Sequence, residues 1–353
     1  MRSQATASSN QCNALAPTAA EALFVSEAVS RRPTGCEIKV ATSGMQESGE
    51  RRVRIRNAAL IAGPTASGKS AAALEVAERL GGVIVNTDSM QGYSILDVLT
   101  ARPGAADLAH VPHYLYGHVH PSTPYSTGAW LRDVTRLASN GVLDGRVPVF
   151  VGGTGLYFRA LLNGLSEMPD VPQAVRDRWR GELLEHGASE LHRRLSREDP
   201  RAAMALKAGD GQRILRALEI LEVSGRSIID WQADAGQPFV DADSARCFVI
   251  EPERAALVAC IEARFDGMIA QGALEEVKAL LALHLDRALP AMKAIGVREL
   301  GLALAGEISL PQAIERAKIA TRQYAKRQST WFRHQLGSEW VRIADPRMLK
   351  PDI

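Results

Sequence analysis

No uninterrupted apolar stretch in this 353-residue chain reaches the ~18 residues that a membrane-spanning helix requires, so no span is expected. Cysteine is scarce. Cys12, Cys36, Cys247 and Cys260 are scattered without C-x-x-C spacing, which argues against both a disulfide framework and a zinc site and makes a reducing cytoplasm the expected location. Net charge is only +2, so a nucleic-acid partner would have to be met by a local patch. A carboxylate is also missing after the apolar run 147–151, which continues as Gly152-Gly153-Thr154. Phosphate-loop ATPases and kinases usually place a metal-holding acid at such a position, so its absence weakens an ATPase reading. With 46% apolar residues, the chain can still build a core for one large or two smaller domains.

Gly63-Pro64-Thr65-Ala66-Ser67-Gly68-Lys69-Ser70 meets every fixed position of the phosphate-loop pattern G-x-x-x-x-G-K-[ST]. Residues 58–62 before it read as a strand and 71–80 after it as a helix, which is the context the motif needs. Such a loop aims backbone N–H groups and a lysine ammonium at phosphate oxygens and offers a hydroxyl, here Ser70, to Mg²⁺. The site is expected to bind a di- or triphosphate. The loop does not say which ester it holds.

Short β-like runs then alternate with helical ones, the pattern of a parallel sheet wrapped by helices. Runs 82–87 and 147–151 are expected as strands whose C-terminal ends deliver Asp88-Ser89-Met90-Gln91 and Thr154 to the ligand-binding edge. Asp88 and Thr154 should converge near the phosphate loop. On these residues alone Asp88 is a metal-holding acid of a kinase or a helix cap. His110, His113, His118 and His120 lie close in sequence, but no cysteine or repeated acid joins them, so a metal site there is not expected.

Residues 1–57 stand apart, rich in Ala, Ser, Thr and Glu and closed by a basic run. They are expected to be a disordered extension, or to precede a natural start such as Met45. Segment 171–235 is helical in pattern, with ten arginines and one lysine against eleven carboxylates, and reads as a helical insertion that could cover a cleft. Within it Arg213 and Arg216 share one helix face. Toward the C-terminus, Arg322, Lys326 and Arg333 recur along one stripe of a helix that also carries Tyr324, Trp331 and Phe332. That stripe reads equally as a phosphate-backbone footprint or as the solvated face of a packed helix.

Taken in order, the phosphate loop, Asp88-Ser89-Met90-Gln91 with Tyr93, Thr100-Ala101-Arg102-Pro103, Val111-Pro112-His113, Gly152-Gly153-Thr154-Gly155-Leu156-Tyr157, Gln212-Arg213-Ile214-Leu215-Arg216-Ala217-Leu218-Glu219 and Arg322-Gln323-Tyr324-Ala325-Lys326-Arg327-Gln328 resemble the bacterial tRNA dimethylallyltransferases, also called tRNA isopentenyltransferases. Together they span nearly all the chain beyond the extension. The resemblance implies a P-loop NTPase-like α/β core, 58–170 and 236–345, with the helical insertion 171–235. It implies transfer of a dimethylallyl group from dimethylallyl diphosphate to N6 of the adenosine 3′ of a tRNA anticodon, with Mg²⁺ and loss of diphosphate. It assigns catalytic roles to Asp88, Thr154 and Arg176, diphosphate binding to 63–70 and metal contact to Ser70. Contacts to the tRNA anticodon stem-loop fall on Asp88, Ser89, Met90 and Gln91, on Gln212, Arg213, Ile214, Leu215 and Arg216, and on Lys293, Ala294, Ile295, Gly296, Val297 and Arg298. A cytoplasmic monomer is expected. The alternatives are a small-molecule kinase using ATP and a nucleotide-gated RNA-binding protein. Leu99, Arg102, Gly211 and Val297 depart from the family's usual Gly, Lys, Pro and Tyr.

Overall fold

The computed structural model describes residues 54–349 apart from Ala235. The expected extension therefore lies outside the described residues up to position 53. Its last four residues differ from expectation: the Ile55 N–H donates to Phe239 O at 2.9 Å, Ile55 O accepts from Asp241 N–H at 2.8 Å, and the Ile55 side chain is buried. The folded part thus extends upstream of residue 58.

In chain order the first half comprises β1 (Ala59–Ala62), α1 (Lys69–Leu80), β2 (Val83–Asn86), α2 (Ala105–His110), β3 (His113–Tyr114), α3 (Thr127–Ser139), β4 (Pro148–Gly152) and α4 (Gly155–Asn163). Four helices follow, α5 (Gln173–Glu198), α6 (Pro200–Ala205), α7 (Gly211–Ser224) and α8 (Ile228–Ala233). The chain then returns through β5 (Arg246–Ile250), α9 (Arg254–Ala270), α10 (Ala273–Leu281), α11 (Val297–Leu304), α12 (Leu310–Gln335) and β6 (Trp340–Ile343). The strands form one six-stranded sheet in the order β3-β2-β4-β1-β5-β6, and every pairing is parallel.

Strand side chains alternate between faces, and this divides the core into two layers. Leu60 and Ala62 of β1 join Val83, Val85, Phe150, Trp130, Phe158 and Phe332 on one face, while Ala59 and Ile61 join Ile84, Val149, Val151, Ala73 and Val76 on the other. Central strands buried on both sides need continuous apolar runs, which is why β1 and β4 are legible as such. A third cluster packs α9–α12 against Leu96 and Leu99 of the loop after β2. Helices α5–α8, within the segment 171–235, surround their own cluster of Trp179, Leu191, Leu195, Ile214 and Leu218. Gly187, at φ +78°, breaks α5 there.

The C-terminal helix α12 is anchored through Phe332, which is fully buried in the sheet layer. Phe332→Ala should cost about 3–5 kcal/mol through lost burial and the cavity left behind, read from urea unfolding as a lower midpoint at unchanged slope.

Candidate active site

The loop 63–70 leaves the C-terminal end of β1 and runs into α1, so its N–H groups stand at the start of a helix, where an anion is favoured. Gly68 makes the turn into α1 at φ +81°, a conformation only glycine adopts without strain. The Lys69 ammonium donates to Pro64 O at 3.2 Å. Although part of its surface meets solvent, burial pulls its pKa down to about 8, with the nearby Arg264 charge acting in the same direction and Asp88 opposing both.

A bound diphosphate would favour the ammonium form and raise that pKa. Binding is then accompanied by proton uptake above the free-state value. Affinity for a fully ionised diphosphate ester should be level below pH about 8 and fall by up to about tenfold per pH unit above it. Titration calorimetry across that window checks the slope, and Lys69→Ala should flatten it.

Asp88 stands just beyond β2 in a fixed pose. Its N–H donates to Asn86 Oδ1 at 2.7 Å, and its Oδ1 accepts from Met90 N–H at 2.9 Å. The buried Asn86 is held in turn by donating to Asp88 O and Leu115 O, each at 2.9 Å. One carboxylate oxygen is thereby committed to the turn, and Oδ2 lies beside Gly153. Burial, followed by the Asp88 charge, raises the pKa of Tyr116, Tyr157 and Tyr324 well above the usual phenol range, so all three remain neutral. Thr154 reaches the same turn: its Oγ1 accepts from Ser89 N–H at 3.0 Å, and its N–H donates to Thr87 O at 3.1 Å. The structure thus brings Lys69, Asp88 and Thr154 together at one edge of the sheet.

A cavity of about 330 Å³ opens there. Thr65, Ala66, Asp88, Ser89 and Thr100 line it with Arg264, Lys293, Tyr324 and Arg327, while Met90, Leu99, Ile261, Phe265 and Met268 supply an apolar wall. Glu276 of α10 holds the Leu99 side of that wall by accepting the N–H groups of Asp97, Val98 and Leu99 at 2.7–2.9 Å. Arg102 pairs with Asp97 and also contacts Tyr93 O, so it braces the same loop and does not face the cavity.

Several residues singled out from the sequence stand elsewhere. Arg176 lies on α5, donates to Val171 O at 3.2 Å and does not line the cavity. Two arginines do, Arg327 of α12 and Arg264 of α9, and Arg264 has its pKa lowered first by burial and restored in part by Asp88. Its sequence signal is a cation set three residues after Ile261 and four before Met268, at the margin of the buried stripe of α9. Gln91 is engaged internally, donating to Thr100 O and Ala101 O. Ile214, Gly296 and Val297 are buried, so they support a surface without presenting side chains on it, and Ala294, also buried, lines the cavity. Gln212, Arg213, Lys293 and Arg298 are exposed, and Arg216 is half-buried against Glu219.

The basic stripe of α12 is divided by its partners. Arg322 is held by Glu262 and Glu315 at 2.7 and 3.1 Å, and Lys318 by Asp266 at 2.6 Å. Lys326 and Arg333 are exposed without a carboxylate partner among the described residues, and Arg327 turns toward the cavity. The four clustered histidines face different neighbours, Glu78 for His110, Val111 O for His113, Asp133 for His118 and Ser122 for His120.

Comparison with known proteins agrees along the whole folded chain. A family model described as IPP transferase matches residues 91–335, and one described as isopentenyl transferase matches 56–116. A tRNA dimethylallyltransferase of Mesorhizobium japonicum is 69% identical over 303 residues, covering 85% of this chain and 94% of its own. One from a Chelativorans species is 60% identical over 286 residues, covering 81% and 98%. The solved structure of the tRNA isopentenylpyrophosphate transferase of Bacillus halodurans is similar at a TM-score of 0.58 and 32% identity, over 82% of this chain and 91% of that one.

Proposed function

The chain belongs to the IPP transferase family, and from that premise we propose that it transfers a dimethylallyl group from dimethylallyl diphosphate to N6 of the adenosine 3′ of a tRNA anticodon, releasing diphosphate. The observation that carries this reading is the joining of three features in one cavity. A phosphate loop lies at one side, the Asp88 carboxylate beside it, and an apolar wall opposite suits a short hydrocarbon and a base. Nothing in the fold or the relatives favours an ATP-dependent kinase, and β4 ends at Gly152 and runs into Gly153-Thr154 where a kinase usually carries an acid.

The exocyclic amine of adenine is a weak nucleophile, since its lone pair is delocalised into the ring. Its proton must leave as the new bond forms. In the proposed step N6 bonds to C1 of the allyl group, the C1–O bond breaks with its electron pair passing to the diphosphate, and Asp88 takes the N6 proton. This requires Asp88 within roughly 2.6–3.2 Å of N6 in the complex. Lys69, the loop N–H groups and Arg264 are the groups proposed to meet the charge that grows on the departing diphosphate, a role that favours a transition state over a ground state. Thr154 holds the Ser89 turn and so the direction of Asp88.

The family reaction implies a divalent metal, and we take it to be Mg²⁺. Among the described residues no group of three or more His, Cys, Asp or Glu is placed to hold a metal by itself. The exposed Ser70 hydroxyl fits a hard cation that arrives with phosphate oxygens and water as its other ligands. When bound, the ion would neutralise charge on the diphosphate.

The base must leave its stack to reach N6, at a cost of a few kcal/mol that contacts to the anticodon loop offset. Gln212, Arg213 and Arg216 of the insertion, Lys293 and Arg298 near the cavity, and Lys326, Arg327 and Arg333 of α12 are the groups proposed to meet the RNA. A cytoplasmic monomer fits this role, and no described helix is long and apolar enough to cross a membrane. The test is mass-spectrometric mapping of ribonuclease fragments from unmodified tRNA after incubation with the enzyme and dimethylallyl diphosphate. N6-dimethylallyladenosine should appear only at the position after the anticodon, and a product at any other nucleoside would overturn the assignment.

A further inference from the structure

We propose that Gln328 is a positioning residue for the transfer, a single buried amide that fixes the separation between the phosphate loop and the strand-end loop beside Asp88. The proposal rests on the reading of the site given above. Gln328 lies on α12 and is 5% exposed. Its Oε1 accepts the Thr65 N–H at 2.9 Å, and its Nε2 donates to Gly153 O at 2.9 Å. One planar group therefore bridges the loop after β1 to the loop after β4. Only this orientation of the amide satisfies both backbone partners, because the N–H needs an acceptor and the carbonyl needs a donor.

Gln328 is also placed to act on the reacting edge without touching substrate. It is absent from the cavity lining, yet Thr321 and Tyr324 on the same helix do line it, and 321, 324 and 328 share one face. The glycine between the amide and Asp88 leaves no slack. A Cβ added to Gly153 would stand 2.1 Å from Gln328 Nε2 and 3.3 Å from Asp88 Oδ2. Three residues further along α12, Trp331 fills the same role at Gly155, where an added Cβ would meet its ring at 2.1 Å. The inner face of α12 thus seats the loop carrying Thr154, and Gln328 ties that seat to the phosphate loop. An apolar substitute would leave a buried N–H and a buried carbonyl without partners, and the two loops would separate to regain solvent or other bonds.

The experiment compares the full chain with Gln328→Met and Gln328→Glu, using dimethylallyl diphosphate and an anticodon stem-loop RNA, at a temperature well below melting. For Gln328→Met, kcat should fall by about a hundredfold, the scale of loss from a displacement near 1 Å, while RNA affinity and the KM for RNA hold. For Gln328→Glu, the protonated acid can still accept from Thr65 and donate to Gly153 O, whereas the carboxylate repels that oxygen. Its kcat relative to wild type should therefore recover as pH is lowered. A Met variant with wild-type kcat, or a loss of kcat matched by equal loss of RNA binding, overturns the proposal. If the Met variant fails to fold, the Glu variant decides: a ratio that does not change with pH overturns it too. A wild-type chain that transfers nothing would sink the reading of the site itself, whereas an active wild type equalled by both variants would sink only the role of Gln328.

Discussion

Replacing Asp88 by asparagine is expected to lower turnover by about 10² to 10⁴, the usual contribution of a general base, while tRNA affinity holds. The substitution keeps an acceptor oxygen for the Met90 N–H and leaves the Asn86 contacts in place, so the turn should survive. What is lost is the ability to take a proton. A second signature follows from the same geometry. Asp88 is the group that supports the Lys69 ammonium against burial, so its neutral replacement should move the alkaline break in diphosphate affinity to lower pH. Turnover near the wild-type value would remove Asp88 from the base role, whatever the pH behaviour.

Arg264→Leu should lower turnover by about 10² to 10³, the range seen when one preorganised donor to developing charge is removed. Arg176→Leu should leave it close to the wild-type value. The contrast follows from position. Arg264 lines the cavity beside the P-loop residues Thr65 and Ala66 and Asp88, and it is a half-buried cation whose nearby charge of opposite sign is Asp88. Arg176 is turned to the carbonyl of Val171 within the insertion. Steady-state kinetics with both variants checks this, and the opposite ranking would restore Arg176 to the cleft in the catalytic complex.

What could be read from the chain beforehand was whatever is encoded locally. The phosphate loop is a run of eight residues whose function is carried by its own backbone, so the motif and its strand and helix context suffice. β1 and β4 are continuous apolar runs because both faces of the sheet cover them. The edges of the sheet were not visible. β3 has two residues, and β6 sets exposed Val341 and Arg342 between buried Trp340 and Ile343, a pattern too short and irregular to separate from a loop. Side-chain roles set by distant packing were hidden as well. Arg264 and Gln328 sit inside ordinary amphipathic helices, and only the docking of α9 and α12 on the sheet edge turns them to the site. The same docking supplies Glu262 to Arg322, which withdraws that residue from the basic stripe.

Donor and acceptor are tested most directly by a paired label experiment. Dimethylallyl diphosphate labelled in its C5 group is incubated with the protein and unmodified tRNA, and label in RNA and free diphosphate are counted together. A parallel reaction receives ATP labelled in its γ-phosphate. One diphosphate should be released for each C5 group recovered in tRNA, with no phosphoryl product or tRNA-stimulated hydrolysis from ATP. Transfer of label from ATP, with none from the allylic donor, would contradict the proposed reaction.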